Sequence, residues 1–233
     1  MVTLAGISLE LVRKDIKNLH LAVYPPDGRV RLSAPRYIDE ETLSIFVASK
    51  VPWIRKKQRA IEAQPRQTPR EFVDRESHYF KGRRYLMRIH EVAPPRRYPA
   101  VELGGKKFLD VHVIDTKSLE RKKRAVEKFY RAELREVLEE LVPLWEERMK
   151  VKSSGWRIRP MKTKWGSCNT LRKTMLFNLE LIKQPIECIE YVVVHELAHL
   201  IERGHGPRFQ AVLDAHMPGW RHLQDKLHEL PAL

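Results

Sequence analysis

The sequence predicts an α+β protein. A β-rich N-terminal region spans residues 1–115, and a mainly helical C-terminal region, residues 116–233, carries one short strand pair. Three observations predict this. Apolar and polar residues alternate over much of the first third of the chain. From Ser118 the apolar spacing changes to three and four. Near the C-terminus an apolar run leads into a helix with two histidines four residues apart.

The elements follow in order. Ile7, Leu9 and Leu11 alternate with Ser8 and Glu10, Leu19, Leu21 and Val23 repeat the pattern, and Val30 and Leu32 follow. The spacing predicts short strands, with a turn at Pro25-Pro26-Asp27-Gly28 and an end at Ala34-Pro35. Asp39 is a helix N-cap, and the helix behind it carries Leu43, Phe46, Val47, Trp53 and Ile54. Pro52 is expected to split that helix. Residues 63–70 read as a loop and residues 71–115 as strands, with a hairpin turn at Lys81-Gly82, a connection at residues 93–98 and a strand over Phe108–Ile114.

Val126, Tyr130, Leu134, Val137, Leu141, Leu144 and Met149 mark a long helix from Ser118 to about Lys150, with a possible kink at Pro143. Residues 156–182 read as two strands joined by a turn at Gly166–Arg172. Pro185 opens the run into the histidine-bearing helix. Two short helices, roughly Pro207–His216 and Trp220–Leu230, close the chain. A domain boundary is expected near residue 115.

Composition bounds the class. The chain has 233 residues, 42% hydrophobic and 32% charged, enough for one large domain or two small ones. It has no run of 18 apolar residues, and its first residues lack a basic segment followed by an apolar one. A cytoplasmic protein without membrane spans is therefore expected. Two cysteines, Cys168 and Cys188, imply no disulfide framework. The net charge of +14 points to an anionic substrate or partner, a nucleotide or nucleic acid, or serves solubility alone. Oligomeric state is not legible.

The segment YVVVHELAHLIERGHGPRF, residues 191–209, carries the chemistry. His195 and His199 differ by about 40° in direction and roughly 6 Å in height on a helix, so both imidazoles reach one metal ion. Glu196 is placed to take a proton from water there. A straight helix would turn His205 through about 240° and carry it roughly 9 Å away. Gly204, able to end a helix in the left-handed conformation, is expected to fold the chain back. Three histidines plus one open position make a catalytic zinc site, with another divalent metal possible. The histidine spacing equals that of metzincins, but Glu202 stands where those enzymes place Gly.

The segment before the Trp165-Gly166-Ser167-Cys168 turn supplies Arg157, Arg159, Lys162 and Lys164. If that strand borders the metal site, they are candidate substrate contacts for phosphate or nucleic acid. Otherwise they are exposed strand charges. His216, His222 and His228 are expected at the surface.

The whole chain resembles the YgjP-like metal-dependent hydrolases, a family of metallopeptidase-like, zincin-like fold. The resemblance rests on Asp27-Gly28-Arg29-Val30, Ala34-Pro35, Trp53-Ile54 and Gly82-Arg83-Arg84-Tyr85 in the N-terminal half. In the C-terminal half it rests on Trp165-Gly166-Ser167-Cys168, on Asn178 with Leu181-Ile182, and on His195-Glu196-Leu197-Ala198-His199 with His205 and Phe209. It implies zinc held by His195, His199 and His205, with Glu196 as catalytic carboxylate. Gly206 and Gln210 depart from the Ser and second aromatic residue the family usually carries. The family name implies peptide hydrolysis. Nucleoside triphosphate pyrophosphohydrolysis at the same metal is an alternative, and a nucleic-acid-binding protein with structural zinc is a second. A structural zinc, however, rarely has only three protein ligands and an adjacent glutamate.

Overall fold

A computed structural model describes residues 1–24, 27–63, 70–94, 100–161 and 163–229. The chain forms two compact units, Met1–Gln67 and Thr68–Pro231.

Among the described residues, the first unit is a four-stranded sheet with one helix. Strands β1 (Val2–Leu4), β2 (Ile7–Lys14), β3 (His20–Tyr24) and β4 (Arg29–Pro35) lie in the order β1-β2-β4-β3, with β2 and β4 parallel. The alternation seen in the sequence puts Leu9, Val30 and Leu32 on the inner face, where they meet Leu43, Val47 and Ile54 of helix α1 (Glu40–Ala63). Asp39 caps that helix, its Oδ1 accepting from Thr42 N at 2.7 Å. Pro52 does not split α1, which runs unbroken through it. The side chain lies on the exposed face, where water can satisfy the carbonyl that loses its partner. Of the expected turn at Pro25–Gly28, only Asp27 and Gly28 fall within the described residues. Gly28 takes φ +71, and Asp27 Oδ1 accepts from Arg29 N.

Among the described residues, the second unit joins two sheets and four α-helices around one core. Strands β5 (Ser77–Phe80), β6 (Arg83–Glu91), β7 (Val101–Gly104) and β8 (Phe108–Val113) form a sheet in the order β5-β6-β8-β7. Helix α2 (Leu119–Met149) follows and continues through Pro143. Ser118 caps its start, and Lys150 closes its end at φ 53. Leu109, Val111 and Val113 of β8 share a core with Val126, Tyr130 and Leu134 of α2. The boundary expected near residue 115 therefore lies inside this unit, because the helix after it covers the strands before it. The expected loop at 63–70 and connection at 93–98 lie largely outside the described residues.

The region read as a strand pair is a three-stranded sheet: β9 (Gly155–Arg159), β10 (Gly166–Asn169) and β11 (Thr174–Asn178), in the order β10-β11-β9. Gly166–Asn169, expected as a turn, is itself a strand. It pairs antiparallel with β11, while β9 pairs parallel to β11. β9 and β11 are parallel neighbours, so the chain between them must return along the sheet rather than make a tight turn, and β10 lies on that return. A 3-10 turn, Leu179–Lys183, then leads into α3 (Ile186–Ala198), and α4 (Pro207–His216) and α5 (Trp220–Glu229) complete the unit.

The β5–β6 hairpin fixes where α3 begins. Lys81 N donates to Ile182 O at 2.7 Å and Gly82 N to Lys183 O at 3.1 Å. Gly82, at φ +77, comes so close to Pro185 that a Cβ there would sit 2.8 Å from its Cγ. Only glycine satisfies both the conformation and the contact. Among the described residues no helix is long and apolar enough to cross a membrane.

Candidate metal centre

Helix α3 separates packing from chemistry by its faces. Val193, Val194 and Leu197 are fully buried in the core, whereas His195 and His199 are half-buried along a cleft. The helix ends at Ala198, with His199 as its C-cap in right-handed conformation. Leu200 N donates to Leu197 O, and Ile201 N and Glu202 N both donate to Ala198 O, which tightens the last turn. The chain then swings out and returns His205 to the cleft. The fold-back expected at Gly204 thus starts earlier, and Gly204 does not take the left-handed conformation. Glu202 holds the excursion: its carboxylate accepts from Gly204 N, and its carbonyl accepts from His199 Nδ1 at 3.3 Å.

The result brings His195, His199 and His205 together, each offering one nitrogen, with all three nitrogens within 4.8 Å of one another. His195 Nε2 and His205 Nε2 are 3.2 Å apart. Two nitrogens on one tetrahedral zinc stand about 3.3 Å apart. The outer nitrogens of the two helical histidines are already engaged. The Tyr191 hydroxyl lies 3.4 Å from His195 Nδ1, and the Glu202 carbonyl holds His199 Nδ1. This arrangement aims the Nε2 atoms at a common point. Burial pushes His195 down to about 4, and the neighbouring imidazoles of His199 and His205 add to the effect. Burial lowers His199 as well. Neutral imidazoles are the form that binds a metal. The three rings pack around Phe209, which is fully buried, at centroid distances of 5.0, 4.7 and 4.9 Å.

Glu196 completes the site. It is 4% exposed, and its Oε2 has no hydrogen-bond partner. Burial pushes its carboxyl up to about 8, against the opposing charge of Lys164. Its other side rests on β10. A Cβ at Gly166 would stand 2.5 Å from Glu196 Oε1 and 2.9 Å from Cδ. A buried carboxylate oxygen without a partner is costly unless something it serves occupies the space beside it. The three nitrogens suit a divalent metal, and a water held by such a metal would give that oxygen a partner.

The cleft, about 370 Å³, is walled by Trp165–Cys168 on one side and by Tyr191, Arg203 and Gln224 on the other. Lys164 stands at its edge. Arg157 and Arg159 do not line it. They face outward from β9, two strands away from the cleft, and line a neighbouring groove. The reason is the added strand: β10, not β9, borders the metal site. Lys162 lies outside the described residues. Cys168 lines the cleft but is not among the grouped ligands, and burial, with Glu196 nearby, pushes its thiol up to about 11.

Sequence reasoning missed Gly166, Tyr191 and Phe209 as parts of the site. Tyr191 was legible in principle, since it precedes His195 by four residues and so lies on the same helical face. Phe209 and Gly166 act across the fold, and no spacing reports that.

Asn178 anchors the segment that carries Lys164. It is fully buried; its Oδ1 accepts from Met161 N and Glu180 N, and its Nδ2 donates to Met161 O and Lys164 O. Asn178→Ala is expected to cost about 3 kcal/mol of stability by stranding several of these groups. A urea denaturation midpoint equal to that of the wild type would contradict it.

The model of the family described as YgjP-like, metallopeptidase domain, matches residues 17–230. None of the curated proteins matches the chain. Among solved structures, the chain is similar to the metallopeptidase zymogen of Pyrococcus abyssi abylysin, at 22% identity over 39% of this chain and 90% of that chain, with a TM-score of 0.36. It is similar also to the metallopeptidase zymogen of Methanocaldococcus jannaschii jannalysin, at 23% identity over 39% of this chain and 92% of that one, with a TM-score of 0.35. The family match extends through the first sheet's β3 and β4 as well as the histidine array, so it is no local coincidence of one motif: the chain belongs to the YgjP-like metallopeptidase domain family, a family of metallopeptidase-like, metal-dependent hydrolases.

Proposed function

We propose that the protein is a zinc-dependent peptidase in which His195, His199 and His205 hold the metal and Glu196 is the general base. The observation that carries this reading is the convergence of three imidazole nitrogens beside a buried carboxylate whose Oε2 lacks a partner. When bound, the metal supplies Lewis acidity, polarising the scissile carbonyl and acidifying water. Glu196 Oε2 takes the proton from the attacking water and returns it to the leaving nitrogen. Tyr191 and the Glu202 carbonyl keep the imidazoles oriented. Trp165 and Tyr191 wall the cleft and limit water around the reacting centre. Lys164 supplies a cation at the edge of the cleft, where negative charge develops on the carbonyl oxygen.

The zinc-loaded protein is expected to cleave a mixed peptide library, and His199→Ala is expected to lose both zinc and cleavage. Mass spectrometry of the products and metal analysis read the two effects. Zinc retained at full stoichiometry by His199→Ala would sink the ligand assignment. Lys164 and Arg203 together at the cleft favour a second reading, hydrolysis of nucleoside triphosphates at the same metal. Zinc-dependent pyrophosphate release without peptide cleavage would select it. The adjacent Glu196 argues against a purely structural zinc.

A further inference from the structure

Residues 148–179 contain nine Lys and Arg and no Asp or Glu. At the chain's average of 30 acidic residues in 233, about four would fall there. The fold gathers part of this charge. Arg157 and Arg159 of β9 point away from the core, on the face opposite Ile158, and with Arg172 they line a groove on the outer face of the β10-β11-β9 sheet. All three are exposed, and among the described residues none of their side chains has a carboxylate or hydrogen-bond partner. Leu176, paired with Arg157 and so on the same outer face, gives the groove an apolar floor, and its volume is about 880 Å³. Ser167, Cys168 and Thr170 of the β10 strand and its turn line both this groove and the metal cleft, so the two are continuous across β10.

We propose that this groove binds the phosphate backbone of a nucleic-acid strand. The charge pattern favours that partner over an acidic peptide. A nucleic acid carries a phosphate at every nucleotide whatever its sequence, so it meets a row of cations without interruption. A peptide would need consecutive acidic side chains to do so. Guanidinium forks match phosphate oxygens in pairs. Neutral donors in the same groove, Ser167, Asn169, Thr170 and Thr174, are of the kind that complete backbone contacts. The +14 charge of the whole chain draws a polyanion from a distance. The site is independent of the hydrolytic reading, because none of the three arginines lines the metal cleft.

The test is fluorescence polarisation of a labelled single-stranded oligonucleotide of about 20 nucleotides with the zinc-loaded full chain, between about 50 and 200 mM salt. The triple variant Arg157→Gln/Arg159→Gln/Arg172→Gln is expected to bind at least tenfold more weakly. Its slope of log affinity against log salt is expected to be shallower by about 2, the loss of three phosphate contacts. Its melting temperature should be unchanged, since the side chains are exposed and unpartnered. Glu196→Gln is expected to bind the oligonucleotide as the wild type does, so failure of the catalytic reading would not disturb this result. The proposal is overturned by a wild type that does not bind, or by a triple variant that binds equally well. It is overturned too by poly-glutamate displacing the probe as effectively as unlabelled oligonucleotide, which would assign the groove to acidic polypeptides.

Discussion

Glu196→Gln is expected to keep zinc at full stoichiometry while cleavage falls by about 10³-fold or more, near the upper range for removing a general base. The substitution is close to isosteric, so the packing of the side chain against Gly166 survives. What changes, under the proposed mechanism, is the proton acceptor. In the native site burial raises the carboxyl to about 8 and leaves Oε2 without a partner, an arrangement that destabilises the fold. A neutral amide removes part of that penalty. The metal-free variant is therefore expected to melt at or above the temperature of the metal-free wild type. Stability gained where activity is lost marks a group kept for chemistry rather than packing. Cleavage and metal analysis on the same preparation decide the matter. A variant that cleaves at the wild-type rate would remove Glu196 from the mechanism. A variant that loses zinc would make it a support of the ligands instead.

The parts legible in the sequence were those governed by local periodicity. Alternation found β2, β3 and β4, and the spacing of Val126, Tyr130 and Leu134 found α2 with its start at Ser118. The histidine spacing found two of the three imidazoles that converge on the cleft, because four residues make about one helical turn. What failed depended on partners distant in sequence. Gly166–Asn169 is short, polar and led by glycine, so it reads as a turn. It is a strand because β11 offers it a ladder. That one insertion moved Arg157 and Arg159 out of the metal cleft and into the groove beside it. Likewise Pro52 reads as a helix breaker by local rule, but its exposed face lets α1 continue. The boundary near 115 followed a change of periodicity, whereas the core that β8 and α2 share ignores it.

Gly166→Ala is expected to reduce cleavage by about 10²-fold while zinc and fold remain. The backbone at Gly166 does not have positive φ, so alanine is allowed there conformationally. The obstacle is Glu196: the added methyl would meet its Oε1 at 2.5 Å, its Cγ at 2.8 Å and its Cδ at 2.9 Å. These atoms belong to the end of a side chain with rotatable bonds, whereas β10 is held by β11 and the α3 backbone by the core. Glu196 is therefore the group that yields, and a displacement of about 1 Å at a reacting group costs on the order of 10²-fold. The three imidazoles pack on Phe209, and the three atoms nearest the new methyl all belong to Glu196, so zinc should stay bound. A double-variant cycle separates this from general damage. Glu196→Asp shortens the side chain and withdraws it from the methyl, so adding Gly166→Ala to Glu196→Asp should cost far less than adding it to the wild type. Full additivity of the two losses would show that Gly166 acts on something other than Glu196, and a wild-type rate for Gly166→Ala would show that the close approach has no catalytic consequence.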